Sequence, residues 1–199
     1  MADNESHGWT PANPAPLGLA GFGITTLVLS VMNANLVNFG NDLPVVLGLA
    51  IAYGGIAQLL AGMWEFRTGN TFGAVAFSTF GAFWISFYFL VNNDLAKITG
   101  GVPAIDAGLG LYLWAFAIVT GLLFLCSFRN PRAVQFIFLA LTVTFIFLGI
   151  GNSGGEANII HIGGYCGLVT AAAALYTATA EIMAATYGRD VLPLGRYKG

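Results

Sequence analysis

The sequence predicts an all-α integral membrane protein with six transmembrane helices. Three observations predict it. Apolar types make up 57 % of the 199 residues and charged types only 8 %, against ~25 % charged in an ordinary soluble domain. Six stretches stay apolar for the ~20 residues that a helix needs to cross a ~30 Å hydrocarbon core. The basic residues gather at one end of those stretches, as the orientation rule for membrane helices requires. The composition excludes a disordered chain, a soluble globular enzyme and a nucleic-acid binder with a basic face. With 27 Gly and 16 Phe, it suits helices that approach closely and pack around rings. The runs are continuous rather than alternating, which argues against a barrel.

The elements follow in order. Residues 1–12 form a polar tail with Asp3 and Glu5 and no basic residue, unlike a secretory leader. Asn13-Pro14 reads as a helix start, because Pro has no N–H to leave unpaired in the first turn. Span one covers about 17–39 and carries Thr25, Thr26, Ser30, Asn33 and Asn35. Span two covers about 44–66, and helical spacing puts Gly54, Gln58, Gly62 and Glu65 on one face. Span three, about 71–91, begins at Asn70-Thr71 and holds Ser78 and Thr79. Spans four, five and six cover about 107–128, 132–150 and 159–186. The last has a ladder of Gly163, Gly167, Ala171, Ala174 and Ala178, fitted to close helix packing. Tight links at 40–43, 67–70 and 129–131 join them. Two longer links are at 92–106, with Gly100-Gly101 and Pro103, and at 151–158, with Glu156. The predicted domain plan is a tail at 1–12, a transmembrane domain at 13–187 and a tail at 188–199.

Orientation follows from charge. Arg67, Arg129, Arg132, Arg189, Arg196 and Lys198 fall on the side of the amino terminus, and Lys97 falls on the other. Both termini are therefore expected in the cytoplasm of a multi-pass protein of the cytoplasmic membrane.

The middle of every span lacks Asp, Glu, Lys and Arg. Glu65 and Glu181 lie near the cytoplasmic boundary, within expected reach of Arg67, Arg129 or Arg189. A pump with a buried charge pair needs ionisable groups at depth, and only His161 comes close. A membrane enzyme would need a nucleophile, base or metal set. No CxxC, HExxH or Walker-type glycine loop is present, and Cys126 and Cys166 read as small apolar fillers. No catalytic residue, metal or cofactor is expected. The neutral polar residues in the spans are explained for the most part by packing. Read functionally, they describe a narrow conduit for a small neutral or weakly charged solute.

A resemblance narrows this. Asn13-Pro14-Ala15-Pro16-Leu17-Gly18-Leu19, then Gly21-Phe22-Gly23 and Thr25-Thr26, resembles the signature of the acetate uptake transporter family. The likeness continues at Tyr53-Gly54-Gly55-Ile56-Ala57-Gln58, at Gly69-Asn70-Thr71-Phe72-Gly73, at Phe83-Trp84 and at Leu141-Thr142-Val143. It returns at Gly151-Asn152, Ile159-Ile160-His161 and Val191-Leu192-Pro193. The resemblance implies six helices per subunit and a homo-hexamer with one pore in each subunit. It implies passage of acetate and related small monocarboxylates, sometimes succinate, with protons or as the anion. It also implies a constriction at Phe22, Phe80 and Leu141. The family pattern has Tyr at the second position, so this chain lacks a hydroxyl there. Thr25, Thr26, Gln58, Asn152 and His161 are expected to hold the solute on either side of the constriction. The helix starts at Asn13 and Asn70-Thr71 are expected to attract a carboxylate with their free N–H groups.

Magnitudes favour one way through an apolar ring. Moving a bare carboxylate into an apolar medium costs tens of kcal/mol in the Born limit. Protonating a small acid with a pKa of ~4.3–5 costs about 3–4 kcal/mol at pH 7. The narrowest point is therefore expected to pass the neutral acid, or an anion that keeps some water. The alternatives are a hexameric channel for a small neutral amide such as urea, which composition does not separate, and a sensor or assembly protein without transport.

Overall fold

The computed structural model describes residue 9 and residues 11–37, 39–94 and 102–196. Lys97, Lys198, Asp3, Glu5 and the Gly100-Gly101 pair lie outside the described residues. Among the described residues six helical spans are present. We label them α1 (Ala15–Asn33), α2 (Phe39–Ile51, a π-helical stretch Ala52–Ala57, then Gln58–Thr68), α3 (Thr71–Phe89, extended by a π-helical Leu90–Asp94), α4 (Val102–Cys126, ending in a 3-10 turn Ser127–Arg129), α5 (Arg132–Gly154) and α6 (Ala157–Tyr187). Among the described residues no strand occurs.

The existence and order of the spans match the hydropathy reading, but several ends do not. Span one stops at Asn33 rather than near 39. Asn35 adopts φ 57°, a left-handed conformation that Asn tolerates better than most residues. Because Leu36 and Val37 are apolar, hydropathy carries no sign of that turn. The 40–43 link is instead the first turn of α2, which begins at Phe39 and takes Pro44 into its body. The 151–158 link is also mostly helix: α5 runs to Gly154, and Gly155 (φ 67°) reverses the chain before α6 starts at Ala157. Cys126 lies exposed, so it is not a core filler.

The helices form a ring in which α1 packs on α6, α6 on α5, α5 on α4, and α2 on both α3 and α1. Aromatic rings close the remaining α3–α4 seam. Phe83 packs edge-on against Phe116 at 4.8 Å and stacks with Tyr112 at 5.5 Å. The Tyr112 hydroxyl donates to the Phe83 carbonyl at 2.8 Å. Small residues set the other seams. Gly23 faces Ala174 and Leu175, Gly62 faces Ser78, Gly81 faces Leu59 and Gly163 faces Leu148. The α6 ladder is buried along its length, as is the Gly54, Gln58, Gly62, Glu65 face of α2. The outer face is apolar: Leu111, Ile118, Leu122 and Leu125 form an exposed aliphatic stripe on α4, suited to lipid.

After α6 the chain does not hang free. The Leu194 carbonyl accepts the Ala133 N–H at 3.1 Å, and the Gly195 carbonyl accepts the Arg132 N–H at 2.9 Å. The first turn of α5 would otherwise leave those two donors unpaired. The Tyr176 hydroxyl holds the Pro193 carbonyl at 2.9 Å, and Leu194 is buried. Residues 191–196 are thus a strap tied across the start of α5.

A Cβ on Gly21 would lie 2.6 Å from the Tyr53 carbonyl oxygen, whereas nothing lies within 4 Å of one on Gly48. Gly21→Val should destabilise the protein by about 1–3 kcal/mol, while Gly48→Ala should be neutral or stabilising. Thermal unfolding of the two variants in detergent checks this.

Candidate functional site

Two cavities enter the ring from opposite ends. The proximal one, about 260 Å³, opens where α1 starts, α2 passes to α3, α4 passes to α5 and α6 ends. Its lining includes Asn13, Gln58, Asn70, Phe77, Phe80, Phe138, Glu181 and Arg196. The distal one, about 360 Å³, opens at the other ends of the same helices and is lined by Thr26, Ser30, Asn33, Trp84, Thr144, Asn152 and His161, among others. Each has room for a small organic acid and several waters, at about 30 Å³ per water.

Among the described residues two line both cavities: Phe22 of α1 and Leu141 of α5. They are 5 % and 3 % exposed. The neck between the cavities is therefore apolar. Phe80 of α3, lining the proximal side, brings its ring to 5.7 Å from that of Phe22. It also lies 6.2 Å from Phe138 and stacks on Phe145 at 6.4 Å. Phe83 packs edge-on against Phe145 at 5.4 Å, and through it the neck joins the α3–α4 aromatic seam. Rings interlocked in this way have few alternative rotamers, so the neck is stiff.

The polar candidates divide by what their side chains already bond. Thr25 is fully buried, donates to the Gly21 carbonyl at 2.8 Å and packs against Gly54. It lines neither cavity. Its neighbour Thr26 lines the distal cavity, and its buried Oγ1 has no hydrogen-bond partner. Gln58 is 1 % exposed, and its Oε1, also without a partner, belongs to a side chain on the proximal cavity wall. Asn152 and His161 line the distal cavity, with Asn152 Nδ2 donating to the Leu148 carbonyl at 2.8 Å. Thr71 is exposed and lines neither cavity. Trp84, not singled out as a pore residue beforehand, lines the distal cavity with a buried, unpartnered Nε1. Its residue type gave no cue, since Trp in a membrane helix more often marks the interface.

Two asparagines organise the proximal mouth. Asn13 Oδ1 accepts the Ala15 N–H at 3.0 Å, and its Nδ2 donates to Glu181 at 3.3 Å. Asn70 caps α3: its Oδ1 accepts from Gly73 N at 3.1 Å and its Nδ2 donates to Glu65 Oε2 at 2.9 Å. Thr68 donates to the same oxygen at 3.2 Å. Glu65 is thereby held by neutral donors at the end of α2. Glu181 pairs with Arg196 at 3.4 Å, a partner the sequence reading did not name. Spacing along a helix gives no information about a residue that returns on a strap.

Helices ringed around two opposed vestibules, with an apolar neck between them, define a multi-pass membrane protein of the solute-transport class. Comparison makes this specific: the chain belongs to the GPR1/FUN34/yaaH family, whose model matches residues 5–190. It is 44 % identical over 185 residues to the succinate-acetate/proton symporter SatP of Escherichia coli (strain K12), covering 92 % of this chain and 95 % of that one. Acetate permease A of Emericella nidulans is 38 % identical over 199 residues, 94 % of this chain and 66 % of its own length. The solved structure of the bacterial acetate channel SatP matches with a TM-score of 0.85 and 40 % identity, covering 94 % of this chain and 100 % of that one. The family resemblance read from the motifs is borne out.

Gln58→Leu removes a buried acceptor that has no partner. It should leave thermal stability unchanged or raise it by up to about 1–2 kcal/mol. A measured loss of stability in detergent would show that the Gln58 amide is bonded in the folded protein.

Proposed function

We propose that this chain carries acetate and similar small monocarboxylic acids across the cytoplasmic membrane, through a pore in each subunit. The observation that carries this reading is the pair of opposed cavities that, among the described residues, share only Phe22 and Leu141. The names of the relatives point to the same class of solute. Phe22, Phe80 and Leu141 form the constriction in this reading, supported by the ring contact of the first two and by the burial of all three. Thr26, Asn152 and His161 hold the solute in the distal vestibule, and Asn13, Gln58 and Asn70 hold it in the proximal one. Thr25 drops out, since its hydroxyl is bonded to its own helix.

An all-carbon neck has no group to replace the water around a carboxylate, so the neutral acid is the species that crosses it. The proton travels with the acid and is released on the far side. Phe80 adds no hydroxyl to soften this barrier. Both termini are placed in the cytoplasm, a reading supported by Arg67, Arg129, Arg132, Arg189 and Arg196 at the proximal end. A homo-hexamer belongs to the same reading, and the exposed aliphatic faces offer surface for subunit contact and lipid alike.

In proteoliposomes, acetate flux should rise toward tenfold per unit fall in pH between 8 and 6, following the neutral acid fraction, and carry no current. Flux unchanged with pH and accompanied by anion current rejects neutral-acid passage, and urea flux in place of acetate flux rejects the solute class. Leu141→Ala should widen the neck and admit succinate faster relative to acetate. An unchanged succinate-to-acetate ratio removes Leu141 from the constriction.

A further inference from the structure

Trp84 is only 2 % exposed, yet its indole N–H has no hydrogen-bond partner in the protein. A buried Trp ordinarily finds a partner for that group, and leaving it unpaired is costly. The ring is held against turning to seek one. Phe83 packs edge-on against it at 5.0 Å and Phe87 at 5.9 Å, and Phe83 is itself gripped by Phe116 and Phe145. Trp84 forms part of the distal cavity wall, so a partner can come from the cavity. Thr26 repeats the pattern on α1. It is 6 % exposed, lines the same cavity, and its Oγ1 has no partner. Its neighbour Thr25 turns its hydroxyl back to its own helix, and Thr26 does not.

Helix register puts the two groups at one level. Both α1 and α3 run from the proximal cavity to the distal one. Thr26 follows the neck residue Phe22 by four positions, and Trp84 follows Phe80 by four. Four residues advance a helix by ~6 Å and return to nearly the same face. The rings of Phe22 and Phe80 are 5.7 Å apart, so Thr26 and Trp84 flank the path one turn beyond the neck. The third neck helix adds no free donor there. Leu141 is followed at the same spacing by Phe145, and the Thr144 hydroxyl donates to the Ala140 carbonyl at 2.8 Å.

We propose that the Trp84 N–H and the Thr26 hydroxyl form an uncharged donor subsite at the distal edge of the neck, which takes the oxygens of the carboxylic acid. This rests on the transport reading and adds Trp84 to it. Inside the neck the acid has no polar group to replace its water. One turn beyond, these two donors restore hydrogen bonds to its oxygens, and water in the vestibule then takes over from them. In the opposite direction they accept the acid from water before it enters the rings. An indole N–H donates and never accepts. Solutes are therefore chosen here by an exposed acceptor oxygen, and one that carries donors alone, such as an ammonium ion, leaves the indole unpaired. Because neither group is charged, the acid is released without an ion pair to break.

Replacing Trp84 with benzothienylalanine keeps the fused ring and puts sulfur where the N–H stood. In proteoliposomes the half-saturating acetate concentration should then rise about three- to tenfold, the size of one uncharged hydrogen bond. Thr26→Val, which keeps the shape of the side chain, should raise it by a similar factor. An unchanged half-saturation with benzothienylalanine in place of Trp84 overturns the proposal and leaves the indole as packing alone. A readout free of transport separates the two readings. The indole N–H proton resonance of Trp84 in detergent-solubilised protein, assigned by its loss in the benzothienylalanine protein, should move downfield when acetate is added at acid pH. It should stay in place when ammonium chloride is added at the same concentration. An acetate-dependent shift without any wild-type flux sustains the subsite and sinks the transport reading. Flux with an unmoved Trp84 resonance does the reverse.

Discussion

The bilayer interior supplies no hydrogen bonds, and nearly every polar feature of this protein follows from that. Six threonine hydroxyls, on Thr25, Thr120, Thr142, Thr144, Thr170 and Thr177, turn back to the carbonyl four residues earlier on their own helix. This is the local escape that a hydroxyl has in a dry environment. The atoms that do not take it stand out. Thr26 Oγ1, Trp84 Nε1, Gln58 Oε1, Glu65 Oε1 and Ser78 Oγ have no protein partner, and the first three belong to residues that line a cavity. Such groups are costly to bury unless something reaches them, and for Thr26, Trp84 and Gln58 a cavity gives solute or water that access.

Much of this was legible in the residues. Long apolar runs, the segregation of basic side chains and the small-residue ladders state the six spans, the ends that cluster and the faces that meet. Motif likeness pointed to Phe22, Phe80 and Leu141, which lie on three different helices and have no common signal in composition. The choice between Thr25 and Thr26 was not legible. Both sit in one apolar helix one residue apart, and a rotation of about 100° decides which meets a cavity. Helix ends were also obscure, because residues 34–37 are largely apolar and yet turn, and because Pro44 sits inside a helix that it would ordinarily begin. The strap was hidden for another reason. Its anchors are backbone carbonyls of Leu194 and Gly195, which leave no mark in side-chain identity.

Rigidity and selectivity share a source here. The neck residues do not stand alone: Phe80 touches Phe22, Phe138 and Phe145, and Phe83 gathers Trp84, Phe116 and Phe145 around it. A wall of this kind changes shape only when several rings move together, so on the proposed reading solutes would be sorted by size and charge at an aperture of nearly constant width. The vestibules on each side carry the polar variety instead. The charged pair Glu181 and Arg196 lies at the proximal mouth, away from the neck.

The π-helical stretch at Ala52–Ala57 has a consequence for how such a chain changes over time. A turn of this kind is an α-helix that has accommodated one surplus residue. Everything downstream in α2, including Gln58 and Glu65, is therefore indexed by that surplus. Deleting a single codon here would restore ordinary winding and swing the lower half of the helix by about 100°, carrying Gln58 off the cavity wall in one step. Substitution tunes this wall gradually; a change in length would re-aim it all at once.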